Sequence, residues 1–201
     1  MAVRTTVAGV LLAAGEGSRL GRPKALVEVN GRTLAERGAE LLRAGGADPI
    51  LIVTGAAAVH LPGTRNVDNP DWRTGMGSSV RAALRALTDV QEVAAVVVAL
   101  ADQPLVGAVA VARLIAAYRA GASVAVAVYD GQPRNPVLLA REHWPDAMAT
   151  AAGDTGARAF LRARADLVTR VECGDTGRPD DIDTPADLAR VSAVLAGPPG
   201  P

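Results

Sequence analysis

The chain has 201 residues, of which 49% are hydrophobic, and its 21 Lys and Arg residues balance its 21 Asp and Glu residues. This length predicts one α/β domain, and zero net charge argues against a basic surface for nucleic acid. No apolar stretch has the length of a membrane span, and the first six residues do not resemble a secretory leader. We therefore expect a cytoplasmic protein with no nucleic-acid and no membrane partner. The single cysteine, Cys173, excludes an intrachain disulfide and a cysteine-built zinc site.

Apolar runs alternate with amphipathic segments, which is typical of βα units around a mostly parallel sheet. The predicted strands are residues 7–12, 50–54, 64–67, 93–100, 123–129 and 136–140. The predicted helices are residues 34–43, 78–87, 109–118, 155–164 and 185–195. The first helix begins after Thr33, and the last begins at Thr184 or Asp183, just before Pro185. We predict a single three-layer, Rossmann-like α/β domain over residues 1–195, with a disordered tail over 196–201.

The segment that follows the first predicted strand is rich in glycine and in basic residues. The backbone N–H groups of such a loop can surround phosphate oxygens, while Arg and Lys neutralise the phosphate charge. The loop is not a dinucleotide-binding fingerprint, because Leu20 stands where that motif needs a third glycine. It is not a P-loop either, because Pro23 rather than Gly precedes Lys24. Lys24 is also the only lysine among the 21 basic residues.

Two acidic positions are candidate metal ligands. Asp102 directly follows the most hydrophobic strand, where α/β sheets bind ligands, and a carboxylate is a suitable ligand for Mg²⁺. Asp183 precedes the last helix, with Asp181 as a nearby second candidate. Each of these positions is also explained by a structural role, because acidic residues commonly cap helices.

A Gly-rich turn with two hydroxyls lies before the second predicted helix. Asn69, Gly75 and Ser79 belong to it, and it can either read a nucleobase or cap the helix. Trp72, in the same stretch, is expected either to form a wall of a pocket or to pack in the core. His60 and His143 fit no motif and are expected to be non-catalytic.

Taken together, these segments resemble the MobA-like nucleotidyltransferase superfamily, whose first strand ends in Leu-x-Ala/Gly-Gly-x-Ser/Gly-x-Arg-Met/Leu-Gly-x-x-Lys. The match runs from Leu12 to Lys24. The resemblance implies Mg²⁺ as cofactor, held by Asp102 and Asp183, and catalytic roles for Lys24, Arg19 and Asp102. It also implies a nucleotide site formed by Leu12, Ala13, Ala14, Gly15, Gly17, Lys24, Asn69, Gly75, Ser79 and Asp102.

The same resemblance suggests the substrates. Leu12-Ala13-Ala14-Gly15 is typical of cytidylyl-transferring members, so CTP is favoured over GTP. The Asp-Gln-Pro triplet at 102–104 is typical of members that act on molybdenum cofactor, which implies molybdopterin as acceptor and a molybdoenzyme of the oxidase/dehydrogenase type as a partner. Asn135 departs from the His that is usual in the family, so a deazaflavin-cofactor precursor or a sugar phosphate stays open as acceptor. A non-catalytic nucleotide sensor or cofactor-delivery protein is the alternative from another class, and the pair Asp102 and Asp183 argues against it.

Overall fold

Seven strands form the central sheet of the computed structural model, which describes residues 5–197. They are β1 (Thr6–Leu12), β4 (Ile50–Thr54), β5 (Arg65–Asp68), β6 (Val93–Leu100), β7 (Val124–Tyr129), β8 (Gln132–Ala140) and β9 (Val168–Glu172). A separate short hairpin consists of β2 (Glu28–Val29) and β3 (Arg32–Thr33). The sheet order is β5-β4-β1-β6-β8-β7-β9, and β8 alone runs antiparallel to its neighbours. The predicted mostly parallel sheet is thus confirmed.

Six α-helices lie in the part of the chain that the structure describes. They are α1 (Leu34–Ala44), α2 (Met76–Leu87), α3 (Ala108–Arg119), α4 (Trp144–Thr150), α5 (Arg158–Ala163) and α6 (Pro185–Ala196). Thr33 and Thr184 begin α1 and α6, each in a capping box in which the threonine hydroxyl accepts a bond from the third helical N–H. None of these helices has the length and apolar content that crossing a membrane requires.

Alternation along the strands produces the three layers, because successive side chains point to opposite faces of the sheet. In β1, Val7 and Leu11 pack on the face that α1 and α3 cover. Ala8 and Val10 pack on the face that α2, α4 and α5 cover. Both faces of the sheet are therefore buried, as the predicted three-layer α/β architecture requires.

A third, smaller apolar cluster holds the periphery of the fold together. Val27 and Val29, around the β2–β3 hairpin, pack with Leu34, Ile182 and Val191. Ile182 immediately precedes Asp183, and Val191 lies on α6. This cluster therefore ties the end of the Gly-rich loop to the segment that carries Asp183.

The structure departs from the predicted elements at several points. β8 begins at Gln132 rather than at residue 136, because Asp130 and Gly131 take positive φ angles and turn the chain directly from β7 into it. The predicted helix 155–164 is wrong as a single element: Gly156, at φ +52, interrupts it, and α5 is shorter. β9, α4 and the β2–β3 hairpin were not predicted. In the predicted tail, Ala196 belongs to α6, and residues 198–201 lie outside the described residues.

Candidate active site

A crevice of about 620 Å³ opens at the carboxyl ends of β1 and β6. These parallel neighbours pair Leu12 with Leu100 at the crevice floor. From β1 the chain adds β4 and β5 on one side of β1 and then returns to place β6 on the other side of β1. Such a switch in strand order leaves a crevice where α/β proteins bind ligands. Among the predicted site residues, the following line it: Leu12, Ala13, Ala14, Gly15, Gly17, Arg19, Lys24, Gly75, Ser79, Asp102 and Asp183.

The Gly-rich loop folds back on itself beside the crevice. The backbone N–H of Lys24 donates to the carbonyl oxygen of Gly15 (3.1 Å), and the N–H of Leu20 donates to that of Gly17 (2.8 Å). Gly17 has a φ of +65, and a Cβ there would overlap the carbonyl oxygen of Arg22. Only glycine fits this position, because the left-handed backbone and the close approach of another segment both exclude a side chain.

We expect Gly17→Ala to destabilise the protein clearly more than Gly21→Ala does. Both glycines have a positive φ, but nothing lies within 4 Å of a Cβ at Gly21. Gly21→Ala should therefore cost only the left-handed strain of about 1 kcal/mol, or about 2–4 °C in Tm for a chain of this size. Gly17→Ala adds the overlap with Arg22, and its loss in Tm should be at least about twice as large. Thermal unfolding of the two variants measures the difference, and equal losses would show that the close approach is unimportant.

A compact charge cluster lies at the centre of the crevice. The ammonium Nζ of Lys24 donates to Oδ2 of Asp102 and to Oδ1 of Asp183, at 2.6 Å in both cases. Arg19 reaches the other oxygen of Asp183, with 3.2 Å between Nη2 and Oδ2. Lys24 and Asp102 are mostly buried, with 20% and 19% of their side chains exposed, whereas Arg19 is 67% exposed.

The opposite charges in this cluster stabilise the ionised form of their neighbours. Burial acts to lower the pKa of Lys24, but the carboxylates of Asp102 and Asp183 outweigh it and hold that pKa above its ordinary value. The hydrogen bond from Lys24 is the largest cause that lowers the pKa of Asp183, and Arg19 adds to it. Near neutral pH, Lys24 is therefore an ammonium and Asp183 a carboxylate.

Two carboxylates that converge on one cation can also hold a divalent metal ion. Mg²⁺ typically takes one or two protein carboxylates and completes its shell with water and substrate phosphates. Within residues 5–197, no group of three or more His, Cys, Asp or Glu side chains is arranged to hold a metal by itself. Asp102 and Asp183 thus suit a metal that a phosphate ligand helps to bind.

The opposite wall of the crevice is formed by the start of α2. Gly75 and Ser79 line it, whereas Asn69 is 2% exposed and lies behind it. The Asn69 side-chain amide donates to the hydroxyl oxygens of Ser78 (2.8 Å) and Ser79 (3.0 Å). Asn69 therefore fixes the Ser79 side chain and does not itself face the crevice.

Several crevice residues were missed by the sequence analysis. Arg73, Met76 and Asp154 line the crevice, and the Arg73 guanidinium stacks 4.3 Å over the Trp72 ring. Trp72 is half-buried and also lines the crevice, so it serves as a wall. Residues 153–158 resemble a further block of the family, but that resemblance points to Arg158 as a contact for an anionic substrate and gives Asp154 no role.

Other residues that the sequence analysis discussed lie outside the crevice lining. Asn135 lies in β8, two residues before Val137, which pairs with Val98 near the end of β6. Asn135 is therefore at the same end of the strands as the crevice. His143 binds the Ser123 hydroxyl (2.9 Å), and His60 is exposed. Cys173 is fully buried, with a free thiol.

Comparison with known proteins identifies the family. The MobA-like NTP transferase domain matches residues 9–168. A protein of Paenarthrobacter nicotinovorans named nicotine blue oxidoreductase is 40% identical over 199 residues, which cover 92% of this chain and 96% of that protein. A probable molybdenum cofactor guanylyltransferase of Opitutus terrae is 37% identical over 83 residues, which cover 41% of each chain.

A solved structure shows the same fold. The crystal structure of Rv0371c from Mycobacterium tuberculosis in complex with manganese superposes with a TM-score of 0.76. It is 27% identical in sequence, and the match covers 93% of this chain and 98% of that one. Because the family description matches most of the chain, this protein belongs to the MobA-like NTP transferase family.

Proposed function

We propose that the chain is a Mg²⁺-dependent cytidylyltransferase that transfers CMP from CTP to the phosphate of molybdopterin and releases pyrophosphate. The family supports nucleotidyl transfer in general, and the nucleotide, the metal and the acceptor are the proposal. The observation that carries it is the convergence of Asp102 and Asp183 on the Lys24 ammonium within the crevice.

The Gly-rich loop supplies the triphosphate site. The residues from Ala14 to Gly17 line the crevice, together with Lys24 and Arg19. When a triphosphate enters, its oxygens offer Lys24 and Arg19 new partners in place of the carboxylates. The two cations then hold the phosphates in position and neutralise the charge that builds up on the departing pyrophosphate.

The residues present fit a divalent metal. Asp102 and Asp183 present oxygen atoms to a single cationic point, which the Lys24 ammonium occupies here, and a related structure was solved with manganese. We propose that these two carboxylates hold Mg²⁺ once the triphosphate draws Lys24 away. When bound, the metal supplies charge neutralisation at the transferred phosphate.

The reaction needs no strong base in the chain. The acceptor's phosphate is already anionic; one of its oxygens forms the new bond to the α-phosphorus, and the bond from that phosphorus to the bridging oxygen of pyrophosphate breaks. Catalysis therefore depends on position and charge more than on proton transfer. Lys24 meets the nucleotide as an ammonium, because Asp102 and Asp183 hold its pKa above the ordinary value, and it acts through its charge.

The choice of nucleotide and acceptor rests on sequence motifs. Ala13-Ala14-Gly15 favours CTP, and the Asp-Gln-Pro triplet at 102–104 favours molybdopterin, with transfer onward to a molybdoenzyme. The partial match to a probable molybdenum cofactor guanylyltransferase supports the same acceptor and keeps GTP as the rival nucleotide. Trp72 and Ser79, on the α2 side of the crevice, are our candidates for contacts with the base.

A second candidate function comes from the relative that is named an oxidoreductase. Its match covers nearly the whole chain, so oxidation or reduction of nicotine blue in the same crevice is the rival proposal. The loop lacks the dinucleotide-binding fingerprint, since Leu20 replaces its third glycine. We therefore rank nucleotidyl transfer first.

The decisive experiment is a pyrophosphate-release screen. CTP, GTP, ATP and UTP are each incubated with Mg²⁺ and either molybdopterin or a set of sugar phosphates. We expect release with CTP and molybdopterin to exceed release with each other nucleotide by about tenfold or more, the discrimination that about 1.4 kcal/mol provides. Release only with a sugar phosphate would overturn the acceptor. No release in any mixture, together with oxidation or reduction of nicotine blue by the protein, would favour the oxidoreductase.

A further inference from the structure

Gln103, the residue after Asp102, is one of the few buried polar side chains in the described part of the chain. It is 4% exposed. Its amide Nε2 donates to Oδ1 of Asp181 (2.9 Å) and to the carbonyl oxygen of Pro179 (3.3 Å). The side chain thus joins the segment that carries Asp102 to the segment that carries Asp183.

Backbone contacts run beside this amide bond. The N–H of Ile182 donates to the carbonyl oxygen of Asp102 (2.9 Å), and the N–H of Arg178 donates to that of Leu105 (3.0 Å). These bonds place the two segments side by side. In the described part of the chain, the two hydrogen bonds of the Gln103 amide are the only ones between residues 102–106 and 178–183 that involve a side chain.

The joined segments are the ones whose spacing matters for a metal. Asp102 and Asp183 are far apart in sequence and belong to different elements, so only tertiary contacts set the distance between their carboxylates. Gln103 is the immediate neighbour of Asp102, and Asp181 is two residues from Asp183. The hydrogen bond from Gln103 to Asp181 therefore joins a residue beside Asp102 to a residue near Asp183.

Stability alone does not explain a glutamine at this position. Its second amide atom, Oε1, is buried and has no hydrogen-bond partner within the described residues. A buried polar atom without a partner is unfavourable, and an apolar side chain of similar size would avoid it. The bonds that Nε2 makes are therefore the reason to look for a role in the site.

We propose that Gln103 is a positioning residue that sets the spacing of the Asp102 and Asp183 carboxylates and so determines the affinity for a divalent metal. The inference rests on the proposed function, because it assumes that this pair holds the metal. Gln103 itself does not touch the metal or the substrates. Its Nε2 holds Asp181 and Pro179, and these hold the chain that leads to Asp183.

The test measures metal binding rather than turnover. Free Mn²⁺ is titrated by electron paramagnetic resonance in the presence of full-length protein and CTP, with no acceptor present. The same titration with CTP alone is subtracted, because the triphosphate itself binds divalent cations. The variants are Gln103→Leu, Asp181→Ala, Asp181→Asn and the double variant Gln103→Leu with Asp181→Ala. Gln91→Leu, at an exposed glutamine before β6, is the matched control.

We expect Gln103→Leu and Asp181→Ala each to weaken Mn²⁺ binding about 10- to 100-fold, as loss of groups that orient metal ligands commonly does. Asp181→Asn keeps an oxygen that accepts from Nε2, so its affinity should stay within about twofold of wild type. The double variant should be little weaker than either single variant, because both remove the same bond. Thermal unfolding is recorded for each variant. If Gln103→Leu does not fold, Asp181→Ala tests the same hydrogen bond, because Asp181 is exposed and its replacement disturbs the core less.

Three results would overturn the inference in different ways. If Gln103→Leu folds and binds Mn²⁺ like wild type, the Gln103 amide does not determine the spacing of the two carboxylates. If Asp181→Asn is as weak as Asp181→Ala, Asp181 acts through its charge as a ligand, and Gln103 is not the cause. If the wild-type protein binds no Mn²⁺ beyond what CTP, GTP, ATP or UTP binds alone, the proposed function itself fails and this inference fails with it.

Discussion

Asp102→Asn should retain the fold and the binding of CTP but lose pyrophosphate release by about 10³-fold. A metal that neutralises a reacting phosphate contributes several kcal/mol, and about 4 kcal/mol corresponds to this factor. Asn has the same size as Asp but no charge, so it presents a much poorer ligand to a divalent cation. The triphosphate contacts of the Gly-rich loop do not depend on the Asp102 carboxylate, and for this reason nucleotide affinity should change far less than turnover.

The environment of Asp102 makes this substitution informative. Its carboxylate is 19% exposed and binds Lys24 at 2.6 Å, while Asp183 offers Lys24 a second partner at the same distance. In the variant, Lys24 keeps one carboxylate and is not left as an unpaired buried charge. The loss of activity therefore reports on the metal rather than on collapse of the site.

The measurement is pyrophosphate release with CTP, Mg²⁺ and molybdopterin, beside CTP binding by calorimetry. Asp89→Asn is the control, because Asp89 is exposed after α2, away from the crevice lining. Wild-type turnover in Asp102→Asn would contradict the proposed mechanism. A loss of CTP binding as large as the loss of turnover would instead place Asp102 in nucleotide recognition alone.

Much of the fold can be read from local sequence, because its core strands are fully buried. Ile50–Thr54 and Val93–Leu100 appear with the predicted bounds, since continuous apolar runs of this length are typical of strands covered on both faces. β9 escaped prediction because it is an edge strand with mostly exposed residues, Thr169 and Arg170 among them. β9 is a strand because it pairs with β7, and its own sequence does not indicate this.

The resemblance predicted that the site residues lie together, but the ion pairs among them could not be predicted. Motifs singled out Lys24, Asp102 and Asp183 separately, and the structure brings all three within hydrogen-bond distance. That one ammonium bridges both carboxylates depends on the packing of distant segments. The bond from Gln103 to Asp181 is likewise a tertiary contact that no spacing in the sequence indicates.

Lys24→Arg, which conserves the charge, should lower pyrophosphate release by about 10²-fold, the scale on which loss of one well-placed donor acts. The Lys24 ammonium is a compact donor, and its stem lies beside Gly15, where a Cβ would stand 3.6 Å from Lys24 Cδ. A guanidinium is planar and wider, and it binds carboxylates in a fixed fork. An Arg at position 24 would therefore hold Asp102 and Asp183 more firmly and release them less readily to a metal.

This substitution also tests why the chain has a single lysine. Arg serves as the cation at the other 20 basic positions, so the composition itself marks Lys24 as an exception. Arg119→Lys, at an exposed position at the end of α3, is the control, and it should leave release unchanged because no crevice residue depends on it. Mn²⁺ binding in the presence of CTP should weaken in Lys24→Arg alone. Near wild-type release by Lys24→Arg would show that any cation suffices at this position, and the single lysine would then have no bearing on the reaction.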